Sequence, residues 1–241
     1  MIPWLGSAPE FPPVSKALRE PNGLLAAGGD LSSERLLAGY QRGIFPWYSA
    51  SEPILWWSPD PRTVLFPHSI RLSHSLRKTL RKHDYDIRLD HAFSEVVSGC
   101  STPRRPGAGT WITPEMQAAY CRLHEEGHAH SVETWRNGRL IGGLYGVALG
   151  RVFFGESMFS RENDASKIAL AHLARYLEQR GFAVIDCQMT TEHLLSMGAT
   201  EIPRAEFCEN LARWTTEGVS AGKWPREACA QFFETVKHDT A

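Results

Sequence analysis

Three polar residues lie in short apolar segments with the spacing of β-strands. Asp186 and Gln188 are two residues apart in one segment, and Glu156 lies in an earlier one. Side chains two apart on a strand point to the same face, so Asp186 and Gln188 are expected to share a face. Phe154, Glu156 and Met158 are expected to share a face for the same reason. Carboxylates there could accept a proton and the amide could orient a nucleophile. Alternatively, Glu156 and Asp186 make ordinary strand-end hydrogen bonds to backbone.

The elements that would position these residues follow one another closely along the chain. Apolar periodicity predicts three strands, a helix and a fourth strand, over 130–136, 139–149, 151–159, 164–180 and 182–188. Asn137-Gly138 is a strong hairpin signal, and Gly150 supplies a second tight turn. A right-handed crossover would place the last strand parallel to its predecessor. Glu156, Asp186 and Gln188 could then converge at one end of a mixed sheet.

The rest of the chain predicts a second, smaller unit before this sheet. Five prolines keep the first 21 residues irregular. We expect an α+β protein with a small N-terminal α/β domain over 1–62 and a mixed-sheet domain over 63–241, laid out like N-acyltransferases of the GNAT class. Further helices are predicted over 32–41, 73–82, 90–97, 113–126 and 204–215, and a strand over 85–89.

Composition narrows the function classes. The 241 residues are 42% hydrophobic and 22% charged, which is typical of a globular protein. With 26 basic and 27 acidic residues the net charge is −1, so nucleic-acid contacts would need a local basic patch. The five cysteines are scattered, which argues against a disulfide framework or a structural zinc site. The chain has no signal-like opening and no long apolar run, so a protein of a reducing compartment without a membrane span is expected.

Several long blocks resemble one family in order and in sequence. They are REPNGLLAAGGDL (19–31), YQRGIFPW (40–47), WWSPDPR (56–62), GTWIT (109–113), FGESMFSR (154–161) and IDCQ (185–188). Together they closely resemble the bacterial leucyl/phenylalanyl-tRNA–protein transferases across nearly the whole chain, least of all after Gly218. The resemblance implies transfer of leucine or phenylalanine, with methionine as a further candidate, from aminoacyl-tRNA to the α-amine of proteins beginning with arginine or lysine.

The resemblance also implies how such an enzyme works and where. The acceptor would be marked for degradation in the cytoplasm, and the enzyme is expected to act as a monomer. An aminoacyl ester is already activated, so no cofactor, metal, ATP or covalent intermediate is needed. Gln188 would orient the attacking amine through its amide oxygen while Asp186 accepts from its NH₂ group. Glu156 would hold the incoming ammonium or arrange Gln188.

Eight tryptophans are a second feature that the resemblance explains. Stacking on the terminal adenosine of tRNA needs aromatic side chains, and Trp47 and Trp111 in Pro- or Gly-flanked loops are the candidates. Of the adjacent Trp56 and Trp57, at most one should reach the site, because neighbours on an extended chain face opposite ways. The other tryptophans are expected to pack in the core: Trp4, Trp135, Trp214 and Trp224.

Two further groups would bind the tRNA and its amino acid. The cations expected to contact phosphates are Arg71, Arg77, Lys78, Arg81 and Lys82, with Arg104 and Arg105 nearby in sequence to Trp111. The residues expected to line an apolar pocket for the aminoacyl side chain are Leu144, Met158, Leu170, Leu173 and Ile185. The alternatives are a solvated helix face for the first group and plain core for the second.

Three other functions are suggested by parts of the sequence. His124-Glu125-Glu126-Gly127-His128 matches the H-E-x-x-H zinc motif, but Gly127 should end the helix and carry His128 off its face. A coenzyme A-dependent N-acetyltransferase would need a glycine-rich loop, whereas 160–166 has no glycine and carries two acids. An RNA-binding adaptor would leave Glu156 unexplained.

Overall fold

The computed structural model describes residues 2–102, 110–216 and 222–225. Its helices are α1 (Ser33–Tyr40), α2 (His74–Lys82), α3 (Phe93–Ser101), α4 (Pro114–Glu125), α5 (Ala165–Gln179), α6 (Glu192–Ser196) and α7 (Arg204–Thr216). Its strands are β1 (Trp4–Leu5), β2 (Leu24–Gly28), β3 (Phe45–Pro46), β4 (Leu55–Trp57), β5 (Arg62–Leu65), β6 (Asp86–Leu89), β7 (Ala129–Arg136), β8 (Arg139–Leu149), β9 (Val152–Ser160), β10 (Val184–Gln188) and β11 (Thr200–Ile202).

The strands form two sheets that change over between Trp57 and Arg62. The first has the order β1-β2-β4-β3, and the second has the order β11-β5-β10-β9-β8-β7-β6. The domain boundary at residue 62 stays a prediction. One hydrophobic cluster contains residues from both sheets, among them Trp56 and Phe154, so the two units share a core.

The predicted order of the central elements is confirmed. β7, β8 and β9 pair antiparallel through tight turns, and β10 returns through α5 to pair parallel with β9. This is the mixed sheet of the GNAT-like layout. Asn137 and Gly138 both have positive φ, as the hairpin turn between β7 and β8 requires.

Each face of the larger sheet is covered by its own helices. Helices α2 and α5 contribute Leu76, Leu80 and the buried stripe of α5 to a cluster on one face, which we call the α5 face. Helices α1, α3, α4 and α7 contribute to the cluster on the other face, which we call the α4 face. The polar residues singled out in the sequence lie between these layers, Glu156 on β9 and Asp186 and Gln188 on β10.

Two local predictions are wrong. Asp90 was expected to cap a helix over 90–97, but it has φ +53° and its carboxylate accepts from the backbone N–H of Ser131 and contacts His130, so α3 begins three residues later. The backbone N–H of Ala92, the residue before α3, donates instead to Glu133. Trp4 was expected in the core but is 71% exposed, because β1 lies at the edge of the small sheet.

Candidate active site

A gap opens between β9 and β10 at the end of their pairing. The two strands are paired from Val152 and Val184 as far as Phe154 and Asp186. Beyond that point β10 stays paired with β5 as far as Gln188, while β9 stays paired with β8. Beyond this point the two strands are joined by side chains, since Gln188 bonds to Glu156 across the gap.

Glu156 lies on one wall of this gap in a β-bulge. Tyr145 is paired with Ser157 and Gly146 with Gly155, so Glu156 is an extra residue on β9. The bulge reverses the alternation of side chains beyond it. Glu156 therefore reaches the α4 face, whereas Met158 packs on the α5 face. The expected sharing of one face by Phe154, Glu156 and Met158 is thus wrong for Met158.

Three hydrogen-bonding groups surround the Glu156 carboxylate. Gln188 donates from Nε2 to Oε1 at 2.8 Å, and the Tyr120 hydroxyl donates to Oε2 at 2.6 Å. The Tyr40 hydroxyl lies 2.7 Å from that of Tyr120. Burial raises the pKa of Glu156 to about 7, and the nearby hydroxyls of Tyr120 and Tyr40 and the Gln188 amide oppose this rise. A carboxylate with this pKa can exchange a proton near neutral pH.

Asp186 is completely buried and paired with Arg62. The guanidinium donates from Nε to Oδ1 at 2.8 Å and from Nη2 to Oδ2 at 2.6 Å. Asp186 Oδ1 also accepts from the backbone N–H of Gln188 at 2.9 Å. The expected hydrogen bond from the Gln188 side-chain amide to Asp186 is wrong, because that amide donates to Glu156. Asp186 instead fixes the backbone at Gln188.

Gln188 leaves the strand in an unusual conformation. Its φ is +64°, in the left-handed region, and the pairing of β10 with β5 is irregular between Asp186 and Gln188. A non-glycine residue in this region costs free energy unless its surroundings hold it. Here the backbone is held by Asp186 and the side chain by Glu156. Glu156, Asp186 and Gln188 are therefore brought together. Gln188 links the two carboxylates, through its side chain to Glu156 and through its backbone to Asp186.

Comparison with known proteins agrees with this geometry. The sequence profile described as leucyl/phenylalanyl-tRNA protein transferase matches residues 64–212, and that of the N-terminal domain of the same family matches 29–60. The chain belongs to this family. A leucyl/phenylalanyl-tRNA–protein transferase of Azoarcus sp. (strain BH72) is 67% identical over 96% of this chain and 99% of that protein. One of Aromatoleum aromaticum is 63% identical over 96% of this chain and 98% of that protein.

A solved structure also resembles the chain at low similarity. A ribosomal-protein-alanine N-acetyltransferase from Brucella melitensis is 16% identical, with a TM-score of 0.33 over 59% of this chain and 96% of that chain. The GNAT-like layout rests on the strand order above rather than on this likeness. No helix in the described ranges 2–102, 110–216 and 222–225 has the length and apolar character of a membrane span.

The tryptophans differ in exposure and in their contacts. Trp47 is 38% exposed, and its ring packs edge-on against that of Trp57, with centroids 5.5 Å apart. Trp57 also donates from Nε1 to the Trp47 carbonyl. Trp56 is fully buried and donates to the Gly28 carbonyl. Trp57 is therefore the one beside a candidate stacking residue, and Trp56 is core. Trp111 is partly buried at the start of α4.

The remaining sequence candidates are the predicted phosphate contacts and the predicted pocket residues. All five predicted phosphate contacts are exposed on or just before α2, whereas Arg104 and Arg105 lie outside the described residues. The predicted pocket residues all belong to, or pack against, the cluster on the α5 face. Four are almost completely buried there, and Met158 is partly buried beyond the bulge. Their role as a pocket stays a prediction.

The H-E-x-x-H segment does not form a helical pair of histidines. Helix α4 ends at Glu125, and Gly127 turns away with φ +81°. His124 bonds to the Ala129 carbonyl and stacks on Phe93 at 4.2 Å. Among the described residues, no group of three or more His, Cys, Asp or Glu side chains could hold a metal ion.

Sequence reasoning missed Arg62, Tyr40 and Tyr120 as parts of the site. Arg62 and Tyr40 stand in the family blocks, but nothing in their local pattern marks them as neighbours of Asp186 or Glu156. Tyr120 occupies an apolar position on the buried stripe of α4, where a core role is the simplest reading. Only the packing of α1 and α4 over the gap brings the two phenols to Glu156.

Proposed function

We propose that this chain is an aminoacyltransferase that moves leucine or phenylalanine from aminoacyl-tRNA to the α-amine of proteins beginning with arginine or lysine. Methionine is a further amino acid that it would transfer. Membership of the family supports the reaction class. The observation that carries the chemistry is a carboxylate of near-neutral pKa joined to an amide at the mouth of a gap between two strands. The modified protein would then be degraded, and the enzyme would act as a cytoplasmic monomer.

The energetics of proton transfer suit Glu156. An α-ammonium has a pKa of about 7.7–8.0, and that of Glu156 is about 7. Moving the proton from one to the other therefore costs only about 1 to 1.4 kcal/mol. The free amine attacks the ester carbonyl, the C–N bond forms, and the C–O bond to the ribose breaks as the leaving oxygen takes up a proton. The reactants need alignment more than activation.

The other named residues would bind the donor. Trp47 and Trp111 would stack on the terminal adenosine, which needs no reading of sequence. The exposed cations of α2 would contact phosphates of the tRNA body. The apolar cluster on the α5 face, which contains Ile185 and packs against Met158, would take the leucine or phenylalanine side chain. Met158 would adapt to ligands of different shape.

The test is transfer of label. Purified protein is mixed with radiolabelled Leu-tRNA and a peptide that begins with arginine, and acid-stable label on the peptide is measured. We expect label on this peptide and none on the same peptide with an acetylated α-amine. Binding of Leu-tRNA without transfer to either peptide would contradict the proposed function and favour an RNA-binding adaptor.

A further inference from the structure

The geometry points to Tyr120, supported by Tyr40, as the positioning residue that holds the Glu156 carboxylate at the gap and favours its charged form. This inference rests on the proposed function, because it concerns the same site. Neither tyrosine was singled out by sequence pattern. Each comes from a helix packed over the sheet, so the site depends on α1 and α4 as well as on the strands.

Tyr40, Tyr120 and Glu156 are joined by two hydrogen bonds in series, with one order of donors and acceptors. When Glu156 is charged, the Tyr120 hydroxyl must donate to it at 2.6 Å, so the Tyr40 hydroxyl is the donor to Tyr120 at 2.7 Å. Burial and the neighbouring Glu156 raise the pKa of both phenols well above the ordinary range of tyrosine, so both stay protonated. Hydrogen bonds in series polarise one another, and Tyr40 therefore strengthens the donation by Tyr120.

Other charged and titratable groups around Glu156 do not replace this donor. Those that face it are Tyr40 from α1, Tyr120 from α4, Tyr145 from β8, and Asp186 from β10 with its partner Arg62 from β5. Asp186 acts in the opposite direction, since a nearby negative charge disfavours ionisation of Glu156. Gln188 donates to the other carboxylate oxygen, so Tyr120 fixes the plane of the group.

The tyrosine pair is a support and does not lead a proton to solvent. Tyr40 is 1% exposed and Tyr120 is completely buried. A proton taken up by Glu156 has no exit through these rings and leaves on the side of the gap. The pair thus keeps Oε2 of the carboxylate hydrogen-bonded without offering a path for the proton to solvent.

Tyr120→Phe is the direct variant. Loss of a hydrogen bond to a charged group shifts the ionisation of Glu156 upward by about one to two pH units. At pH 7 we therefore expect the rate of transfer at saturating acceptor peptide to fall about 5- to 50-fold. The acid limb of the plot of rate against pH should move upward by the same one to two pH units. The KM for aminoacyl-tRNA should not change. A loss of rate with an unmoved limb would show a merely structural role and overturn the inference.

Two further variants separate the contributions of the ring cluster. Tyr40→Phe should move the limb in the same direction by less, because it weakens Tyr120 without removing it. Tyr145→Phe is the matched control. Its ring contacts that of Tyr120 edge-on at 5.3 Å, but its hydroxyl makes no hydrogen bond to Glu156 or to another described residue. We expect its limb to match that of the wild type, and an equal shift in all three variants would contradict the inference.

A measurement without activity keeps this inference distinct from the proposed function. In protein labelled with ¹³C at the glutamate carboxyl, the Glu156 resonance is assigned by its loss in Glu156→Gln. Its titration midpoint should lie near neutral pH and rise by one to two units in Tyr120→Phe. An unmoved midpoint would overturn the inference even if the wild type transfers label. A moved midpoint in a protein that transfers none would support the inference and contradict the proposed function.

Discussion

Glu156 is buried enough for its pKa to approach neutrality and hydrogen-bonded enough to carry a charge. Burial alone would hold the carboxylate neutral, and the donors Tyr120 and Gln188 offset part of that penalty. Asp186, by contrast, is fully committed to Arg62 and to the backbone of Gln188. At the scale of single residues, then, the two carboxylates differ: Glu156 has a pKa near neutrality, and Asp186 holds Arg62 and the backbone of Gln188.

A variant of Gln188 tests whether transfer depends on the amide that aligns the reactants at the gap. Gln188→Ala removes the amide at the gap but leaves the Arg62–Asp186 pair intact. We expect transfer to fall about 100-fold, the typical cost of a misplaced reactant, with the affinity for aminoacyl-tRNA unchanged. Initial rates and a filter-binding titration measure the two quantities. Met189→Ala, at an exposed neighbouring position, should leave both near wild type. Parallel losses of rate and affinity would place Gln188 in tRNA binding.

The β-bulge on β9 is the element on which the site depends. Strict alternation predicts that Glu156 and Met158 share a face, and the extra residue separates them. One wall of the gap thus presents a polar group to the α4 face and an apolar one to the α5 face. The sequence offers only a weak signal for this bulge, the glycines Gly146 and Gly155 that pair beside it. A glycine within a strand can equally mark a bend or a close approach of backbone.

Trp111 precedes α4 and tests the adenosine contact. Trp111→Ala should raise the KM for aminoacyl-tRNA about 5- to 150-fold, the equivalent of one lost stacking contact, while the maximal rate changes little. Trp111→Phe should recover most of the affinity. Trp4→Ala, which truncates an exposed tryptophan on β1, is the control and should have no effect. Unaltered binding in Trp111→Ala would refute stacking at this position.

Helix α2 tests the phosphate contacts. Removing Arg77, Lys78 and Arg81 together should weaken tRNA binding and reduce the slope of log affinity against log salt by about two. Their side chains are exposed, so the fold should be unaffected. Affinities measured from 50 to 300 mM salt provide the slope. Arg213→Ala on α7 serves as the control. If the triple variant keeps the wild-type slope, α2 is only a solvated face.

At the scale of the whole molecule, Arg62 ties the two sheets together. It opens the second sheet, pairs with Asp186 on β10, donates to the Gly43 carbonyl, and lies over the rings of Phe45 and Phe207. A buried guanidinium with this set of partners fixes the N-terminal unit, β10 and α7 with respect to one another. The shape of the gap therefore depends on contacts between residues that are far apart in the sequence.

Arg62→Met should destabilise the protein by about 3–5 kcal/mol, because it leaves Asp186 charged, buried and unpaired. The double variant Arg62→Met with Asp186→Leu should recover much of the loss, since no lone charge remains. Urea unfolding gives both values. A single variant as stable as the wild type, or a double variant no better than the single, would show that the pair does not hold the molecule together.

How much the sequence could predict also depends on scale. The order from β7 to β10 follows from apolar periodicity and two turn signals, because these elements are local. Convergence of Glu156, Asp186 and Gln188 follows from the parallel crossover. The phenols and Arg62 could not be predicted, since their contacts to Glu156 and Asp186 span at least 36 residues. Those of the phenols arise from the packing of α1 and α4, and that of Arg62 arises from the pairing of β5 with β10. Trp4 and Asp90 were misassigned because an edge strand and a left-handed turn override residue preference.

The most direct test is the pH dependence of kcat/KM for the acceptor peptide in the wild type and in Glu156→Gln. Glu156 must be charged to take the proton, and its pKa is raised to about 7. Wild-type activity should therefore fall about tenfold per unit below that pH. In Glu156→Gln the rate should be low throughout and this fall should be absent. A variant that transfers at the wild-type rate, or that keeps the same fall, would contradict the account.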